Sequence, residues 1–533
     1  MRLDESPQCL FKYLRRIHAM AHQLVWFRTD LRVRDNAALT AACERAIAAG
    51  GHVLPVYVID PRFYGTTRFG FARTGAFRRR FLEQCVQDLR KNLLQRGAHL
   101  RVVAGQPEDV LPQLAADHNI AAAHFQAAVA TEERNIEQAV IRRLEDRRVL
   151  CSVTEPATLY SAEDLPFAMD ELPEVFTQFR RQVEKRCDIR PPLPPPDHIP
   201  GPADVGQMGT ASDINAADSG DATSDEVLAR MLQTQITDDP RSTMTFVGGE
   251  TAAWNRIADW VWDRDLLRTY KETRNGMLRE ADSSRLAPWL AQGCVSPRSV
   301  FAEVERYEQQ RVANDSTYWL VFELLWRDYF AFIVRKHGAA VFRRGGLRGL
   351  ELPWSTDQAR FDAWREGRTG YPIIDACMRE LAATGFLSNR GRQNVASFLT
   401  KNLGIDWRMG AEWFESLLLD YDPCSNYGNW NYTAGVGNDA RGFRWFNTTK
   451  QARDYDRRGD FVRHWLPELR DVPGDHIHEP WNMHPARQQR SGCRIGEDYP
   501  SPIVDLFASA NANERLYQNV TKEVPRPRRR RRR

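Results

Sequence analysis

The spacing of the apolar residues changes once along this 533-residue chain, and that change limits the folds open to it. Up to about residue 155, short apolar runs such as Leu24-Val25-Trp26-Phe27, residues 53–59 and Leu100-Arg101-Val102-Val103 alternate with longer helix-like stretches such as 75–95. Short buried strands separated by helices imply a parallel sheet covered on both faces. Residues 22–155 therefore predict a doubly wound α/β domain, with its ligand crevice at the carboxyl ends of the strands. Beyond Phe246 the period becomes helical: Trp254, Ile257, Ala258 and Val261 share a face, and eleven of the 15 tryptophans lie between 254 and 430. From 318 to 334 only Glu323, Arg327 and Asp328 interrupt an apolar run, which reads as a helix buried nearly all round. Residues 246–505 predict a large all-α domain.

Between the two patterns, residues 156–245 read as an interdomain linker. Its part from 190 to 241 opens on Pro191-Pro192-Leu193-Pro194-Pro195-Pro196 and continues in Gly, Asp, Ser and Ala. So few large apolar groups cannot offset the entropy of ordering, so this part is expected to be flexible, with one short helix at 226–233. Residues 1–21, where Lys12, Arg15 and Arg16 mix with Leu10, Phe11 and Leu14, are expected to be an extension preceding a start at Met20. Residues 506–533 read as a C-terminal tail, whose Arg526 and 528–533 carry seven positive charges. Without those seven, the formal charge of +4 becomes −3 for the body. A polyanion must then meet a local basic patch or the tail, which reads equally as a nucleic-acid-binding arm and as a solvated end.

With 42% hydrophobic and 27% charged residues the profile is that of a soluble globular protein. The charge-free apolar run at 46–59 is 14 residues long, too short to span a bilayer, so no membrane partner is expected. Nine cysteines without a CxxC pair form neither a disulfide framework nor a zinc ribbon, and the expected location is the reducing cytoplasm.

Three familiar signals fail on context. Gly435-Val436-Gly437-Asn438-Asp439-Ala440 matches a dinucleotide fingerprint but follows no strand, and reads as a turn. His476, His478 and His484 are interrupted by Pro480 and Trp481 and read as loop histidines, so no metal site is expected. No Gly-Lys pair occurs, which removes the P-loop. The informative stretch is Glu323-Leu324-Leu325-Trp326-Arg327-Asp328-Tyr329. On a helix, 323, 326, 327 and 330 share a face, so a carboxylate, an indole and a guanidinium project together from a buried element. An internal Glu323–Arg327 pair is the plain alternative to a ligand cavity, at the cost of burying two charges. Two further clusters, Leu387-Ser388-Asn389-Arg390-Gly391-Arg392-Gln393 and residues 420–432, are dense in amides, carboxylates and aromatics, which suits a polar heteroaromatic ligand.

Together with Trp26-Phe27-Arg28-Thr29-Asp30-Leu31-Arg32, Tyr270-Lys271-Glu272-Thr273-Arg274-Asn275-Gly276, Gly370-Tyr371-Pro372-Ile373-Ile374-Asp375 and Trp465-Leu466-Pro467-Glu468-Leu469, these blocks resemble the photolyase/cryptochrome family, most of all its DASH branch. The resemblance runs from about 22 to 505. It implies FAD in the helical domain and a 5,10-methenyltetrahydrofolate antenna on the α/β domain. Tyr270, Ser283, Ser284, Arg285 and Leu286 would hold the flavin phosphates and ribityl chain; Arg327, Asn389, Arg392, Asp420 and Asp422 would hold its rings; Asn426 would face N5. The implied chemistry is light-driven transfer of an electron from reduced flavin to a cyclobutane pyrimidine dimer flipped out of DNA, after which the ring splits and the electron returns. Glu323 would stand beside the dimer, Trp326 would stack on it, and Arg274 and Arg390 would grip phosphates. Trp430, Trp407 and Trp354 fall where the family places its electron-hopping chain.

Some positions depart from the family pattern. Tyr432 and Gln393 stand where double-strand repair enzymes have Trp and Met, Ala287 replaces a usual Ser, and Ala128 stands where DASH members carry a Glu for the folate pterin. The expected activity is repair of dimers chiefly in single-stranded DNA by a monomeric flavoprotein with a weakened or missing antenna. The alternative is a blue-light photoreceptor or DNA-binding transcriptional regulator that repairs little.

Overall fold

The computed structural model describes residues 21–201, 236–439 and 442–523. Strands β1 (His22–Phe27), β2 (Val53–Ile59), β3 (Arg101–Ala104), β4 (Ile120–Gln126) and β5 (Leu150–Thr154) form one sheet in the order β3-β2-β1-β4-β5. Every pairing is parallel. Helices α1 (Ala37–Ala49), α2 (Ala76–Leu94), α3 (Pro107–Asp117) and α4 (Thr131–Glu145) make the crossovers. The strand order reverses between β1 and β4, which opens a crevice at their carboxyl ends, as expected for a doubly wound sheet. β1 is central and buried from Gln23 onward; β5, at the edge, exposes Leu150 and Val153.

After α5 (Phe176–Arg186), which lies between the two halves, the helical half follows as α6 (Glu250–Ile257), α7 (Tyr270–Thr273), α8 (Ala287–Ala291), α9 (Pro297–Gln310), α10 (Asp315–His337), α11 (Gln358–Arg365), α12 (Pro372–Thr384), α13 (Asn389–Ser397), α14 (Trp407–Leu417), α15 (Pro423–Ala434), α16 (Thr448–Tyr455), α17 (Asp460–Trp465), α18 (Pro485–Arg490) and α19 (Leu506–Glu523). α10 starts on a reciprocal cap between Asn314 and Thr317 and ends at Gly338. Gly435, at φ 80°, closes α15, so the GxGxxA stretch begins as a helix stop. His476 meets Arg487, His478 donates to the Asp456 carbonyl, and His484 caps α18, so the three histidines have separate partners. No helix among the described residues is long and apolar enough to cross a membrane.

Two boundaries differ from the sequence expectation. Residues 156–201 are not a free linker. Leu159, Leu172, Phe179 and Val183 are fully or almost fully buried in the main core, and Phe176 packs beside them. The proline run is also tied down: Leu193 accepts from the Asp35 amide and donates to the Asp35 side chain, Ile199 is sealed, and Pro200 accepts from Val53. A polyproline stretch makes no hydrogen bonds of its own, and here it takes them from the α/β domain. At the other end, 506–523 is no tail but the docked helix α19. Tyr517 accepts from Arg348 at 2.6 Å and donates to the Gly435 carbonyl, and Asn513 donates to Lys401 and Asn402 carbonyls. The helix expected at 226–233, the N-terminal extension up to residue 20 and the arginine cluster lie outside the described residues.

The domains are joined mainly through backbone. Glu250 on α6 accepts from the Val33 and Arg34 amides at 2.8 and 3.1 Å, and Arg298 on α9 pairs with the buried Asp35 at 2.5 Å. Gly293 abuts β1's loop so closely that a Cβ there would stand 2.0 Å from the Thr29 carbonyl oxygen. From α10, Asp328 spreads its two oxygens onto the Leu159 and Tyr160 amides, each at 3.0 Å. Asp328→Ala would strand two buried N–H groups and is expected to cost about 3 kcal/mol in urea unfolding, with Asp328→Asn, which keeps one acceptor, losing about half of that. An unchanged midpoint in both variants would show that the fork does not hold residues 156–201.

Candidate functional site

A cavity of about 310 Å³ lies within the helical domain, walled by the segment 270–291, α10, α13 and residues 420–433. All eleven positions expected to hold a flavin line it: Tyr270, Ser283, Ser284, Arg285, Leu286, Arg327, Asn389, Arg392, Asp420, Asp422 and Asn426. Arg274, Glu323, Gln393 and Trp430 line it as well.

At one end, the loop before α8 is shaped from behind. Buried Arg256 donates through Nε to the Ser284 carbonyl at 2.9 Å and through Nη2 to the Ser283 carbonyl at 3.1 Å, and is itself paired with Glu280. Trp260 adds a bond to the Ala281 carbonyl. With the carbonyls held outward, the Ser283 and Ser284 side chains remain at the cavity wall, beside Arg285, which lies over Phe386 and donates to Thr243. At the other end Arg392 donates to the Leu387 carbonyl and pairs with Asp420 at 2.9 Å. Asp422 caps α15 by accepting from the Ser425 amide, and Asn426 donates its amide N–H to the Ala411 carbonyl at 3.0 Å, which leaves its oxygen as the polar end available to the cavity. Trp430 and Phe414 form an apolar wall in edge contact; α14 approaches so closely that a Cβ at Gly410 would stand 2.3 Å from the Trp430 ring.

The helix face expected at 323–330 is divided. Glu323 and Arg327 reach the cavity, but they are not partners: Arg327 donates to the Ala157 carbonyl at 2.7 Å, and Glu323 pairs with Arg274. Burial raises the proton affinity of Glu323 and Arg274 opposes that. Trp326 is outside the cavity, stacked on Phe176 at 3.7 Å, with Tyr432 edge-on at 6.0 Å. Phe330 packs on Gly428, where a Cβ would stand 2.3 Å from the ring. Arg390 is held by Asn275 and Gln451 and lies over the Tyr455 ring. Burial is nearly complete at Trp430 and Trp407 and partial at Trp354; Trp407 donates to the Arg344 carbonyl, while Arg344 donates to the Trp354 carbonyl.

Sequence reasoning missed the apolar wall residues Phe386 and Phe414, the lining residue Thr433, and one acid behind the cavity, Glu380. A glutamate two residues after the apolar Ala376-Cys377-Met378 stretch of α12 was the available signal. Burial pushes Glu380 up to about 8, against the pull of Arg285 and Arg392, and its Oε2 has no hydrogen-bond partner. A folded-state value raised from 4.5 gives stability that is full below about 4.5 and is lost as pH rises through about 8. Glu380→Gln should flatten this part of the stability curve and unfold later than the parent at pH 9. Parallel curves for parent and variant would rule the acid out as a titrating group.

A second cavity, about 270 Å³, occupies the crevice at the sheet's switch point and is lined by Phe27, Arg28, Tyr57, Gln126 and Ala128. The Ala128 amide donates to Glu137, which also pairs with Arg28. Glu133, pushed up to about 7 by burial, is the carboxyl group at this cavity nearest in sequence to Ala128. Both cavities share Ala291, Arg327, Tyr421 and Asp422 as walls.

The donors around the first cavity fit FAD: hydroxyls and guanidinium groups at one end suit a diphosphate, and amides with an ion pair beside an apolar wall suit a flavin ring. The comparisons agree. The family model described as the FAD binding domain of DNA photolyase matches residues 319–519, and that described as DNA photolyase matches 23–197. The cryptochrome DASH of Gloeobacter violaceus is 51% identical over 95% of this chain and 97% of that protein. Among solved structures, a Synechocystis cryptochrome superposes with a TM-score of 0.87 at 47% identity, covering 93% of this chain and 99% of that one. A bacterial class III photolyase from Agrobacterium tumefaciens gives 0.80 at 29% identity, covering 95% and 98%. With a switch-point sheet, a helical FAD-binding half and relatives alike from end to end, this chain belongs to the photolyase/cryptochrome family, in its cryptochrome DASH branch.

Proposed function

We propose that this blue-light flavoprotein repairs cyclobutane pyrimidine dimers, chiefly in single-stranded DNA, as a monomer. The observation that carries this reading is the polar part of the FAD cavity's lining, to which the Glu323–Arg274 pair, Gln393 and Thr433 belong. FAD, when bound, supplies the light-driven electron. The residues of this chain do the rest. Ser283, Ser284 and Arg285 hold phosphate, and the Arg392–Asp420 pair with Asn426 orients the ring. Glu323, kept in place by Arg274 and inclined by burial to hold its proton, can donate to a pyrimidine carbonyl of the dimer. Trp326 and Tyr432 offer an aromatic edge beside it, and Arg390 and the arginine tail supply phosphate contacts. Trp430, Trp407 and Trp354 serve as the route by which electrons reach the cavity from the surface. In the second cavity, the methyl group of Ala128 offers a folate pterin no charge-assisted bond.

Asp420→Ala leaves Arg392 without its partner. Breaking a sealed pair costs about 3 to 5 kcal/mol, but Arg392 keeps a quarter of its side chain in water, so about 2 kcal/mol is expected. That is about a thirtyfold loss of FAD affinity, read by fluorescence of flavin released on dilution. Full retention of FAD would remove Asp420 from the site.

The substrate preference follows from polarity. Tyr432 and Gln393 give a flipped dimer less stacking than two indoles and a methionine would, and extrusion from a duplex costs a few kcal/mol that a single strand largely avoids. Under blue light, dimers should disappear from single-stranded or looped oligonucleotides and hardly from intact duplex, with binding that weakens as salt rises. A Tyr432→Trp, Gln393→Met double variant should regain part of the duplex activity. Equal rates on both substrates would refute the polarity argument, and absence of repair on either would favour a photoreceptor role.

A further inference from the structure

We propose that Cys85 and Cys294 form a redox modification site, a dithiol that hydrogen peroxide closes into a disulfide locking the α/β domain to the helical domain.

The two sulfurs come from opposite sides of the domain interface, 209 positions apart in the chain, and lie 3.4 Å from each other. Both side chains are fully buried. Among the described residues, no other two cysteines share a hydrogen bond. A buried cysteine ordinarily serves as a small apolar filler, a role that calls for no second sulfur at the contact.

Each partner is aimed by its own backbone. Cys85 lies on α2, and residues 248–249 cross that helix so closely that a Cβ at Gly248 would stand 2.1 Å from the Phe81 carbonyl oxygen and 2.8 Å from the Cys85 sulfur. Cys294 closes the turn after α8: its amide donates to the Trp289 carbonyl at 2.8 Å, and Gly293 before it takes φ 65°. The Gly293 carbonyl accepts from Arg32 at 2.9 Å, and the Trp289 ring meets Phe81 of α2 edge-on. Both backbones are therefore fixed to one interface. The sulfurs must close from 3.4 Å to a bond of about 2.05 Å, a change that the two side chains share.

In the step, one thiol sulfur attacks peroxide: the O–O bond breaks, a sulfenic acid forms and water leaves. The second sulfur attacks the sulfenic sulfur, the S–S bond forms, and the hydroxyl departs with the second thiol's proton as another water. Two thiols lose two electrons, and one peroxide is reduced to two waters. Burial and the neighbouring Cys294 hold the Cys85 thiol well above its usual range, so little thiolate is present and closure is slow. The site therefore records sustained exposure to oxidant rather than a brief pulse. The new bond clamps onto α2 the strip that ends at Cys294, of which Ala291 lines both cavities and Gln292 the second.

The test uses the FAD-loaded full chain, treated with hydrogen peroxide and digested with trypsin without reductant. Peptides 81–90 and 286–298 should appear in mass spectra as one linked species, and dithiothreitol should release them. A chain unfolded in urea before treatment should give scrambled pairs instead. Peroxide should raise the urea midpoint of the folded chain, followed by flavin fluorescence, and dithiothreitol should return it. In Cys85→Ser and Cys294→Ala neither treatment should move the midpoint. Separate 81–90 and 286–298 peptides in the treated parent, with free or over-oxidised cysteines, would overturn the proposal whether or not the variants fold. A linked pair without a shift of the midpoint would overturn the lock.

Discussion

The structure depends on carboxylates that give up water for backbone N–H groups. Glu250 binds two amides of the loop after β1, Asp328 two amides of the segment after β5, Asp375 those of Thr369 and Gly370, and Asp456 those of Phe461 and Val462. Each fork converts a desolvation cost into two bonds of fixed direction, so the segments it holds have one arrangement rather than several. Two of the four cross from the helical half to the α/β half or its continuation. They set the floor on which the flavin cavity stands, because α10 carries both Asp328, facing the interdomain segment, and Glu323 and Arg327, facing the cavity.

That helix shows why adjacency in sequence and adjacency in function differ. Trp326 and Arg327 are neighbours, yet one stacks on Phe176 and the other borders both cavities. The side chains that share a face on an isolated helix are parted by what packs against it: Phe176 from the segment between the domains takes the indole, and the Ala157 carbonyl takes the guanidinium. Arg274, from another element, then supplies the countercharge that Glu323 could have drawn from its own helix.

Much of this was legible in the sequence. β2 and the Leu24–Phe27 part of β1 are unbroken apolar runs and α2 and α10 are long periodic ones, so their type and approximate place follow from pattern alone. The eleven positions expected to hold a cofactor, all of which line the first cavity, came from family motifs, not periodicity. What escaped has physical reasons. β4, with three alanines in succession, has helix propensity and is a strand because β1 and β5 flank it. The proline run has no means of ordering itself and is ordered by Asp35 and Val53, which are far away in sequence. α19 was cut off at 505 because the motifs end there, although Leu506, Ala510 and Tyr517 mark a buried face. Glu380 is marked only weakly in a local reading, since the burial that raises its proton affinity, and the opposing Arg285 and Arg392, come from across the fold.

The shared wall between the two cavities joins the chemistry of the two domains. Asp422 caps α15, the helix that carries Asn426, Tyr427 and Trp430, and it also borders the switch-point crevice. Tyr421 borders both cavities and the interdomain cleft, under the guanidinium of Arg78 at 4.6 Å. The two cavities therefore meet at one helix start, and α15 is the element through which the switch-point crevice and the helical half share a wall.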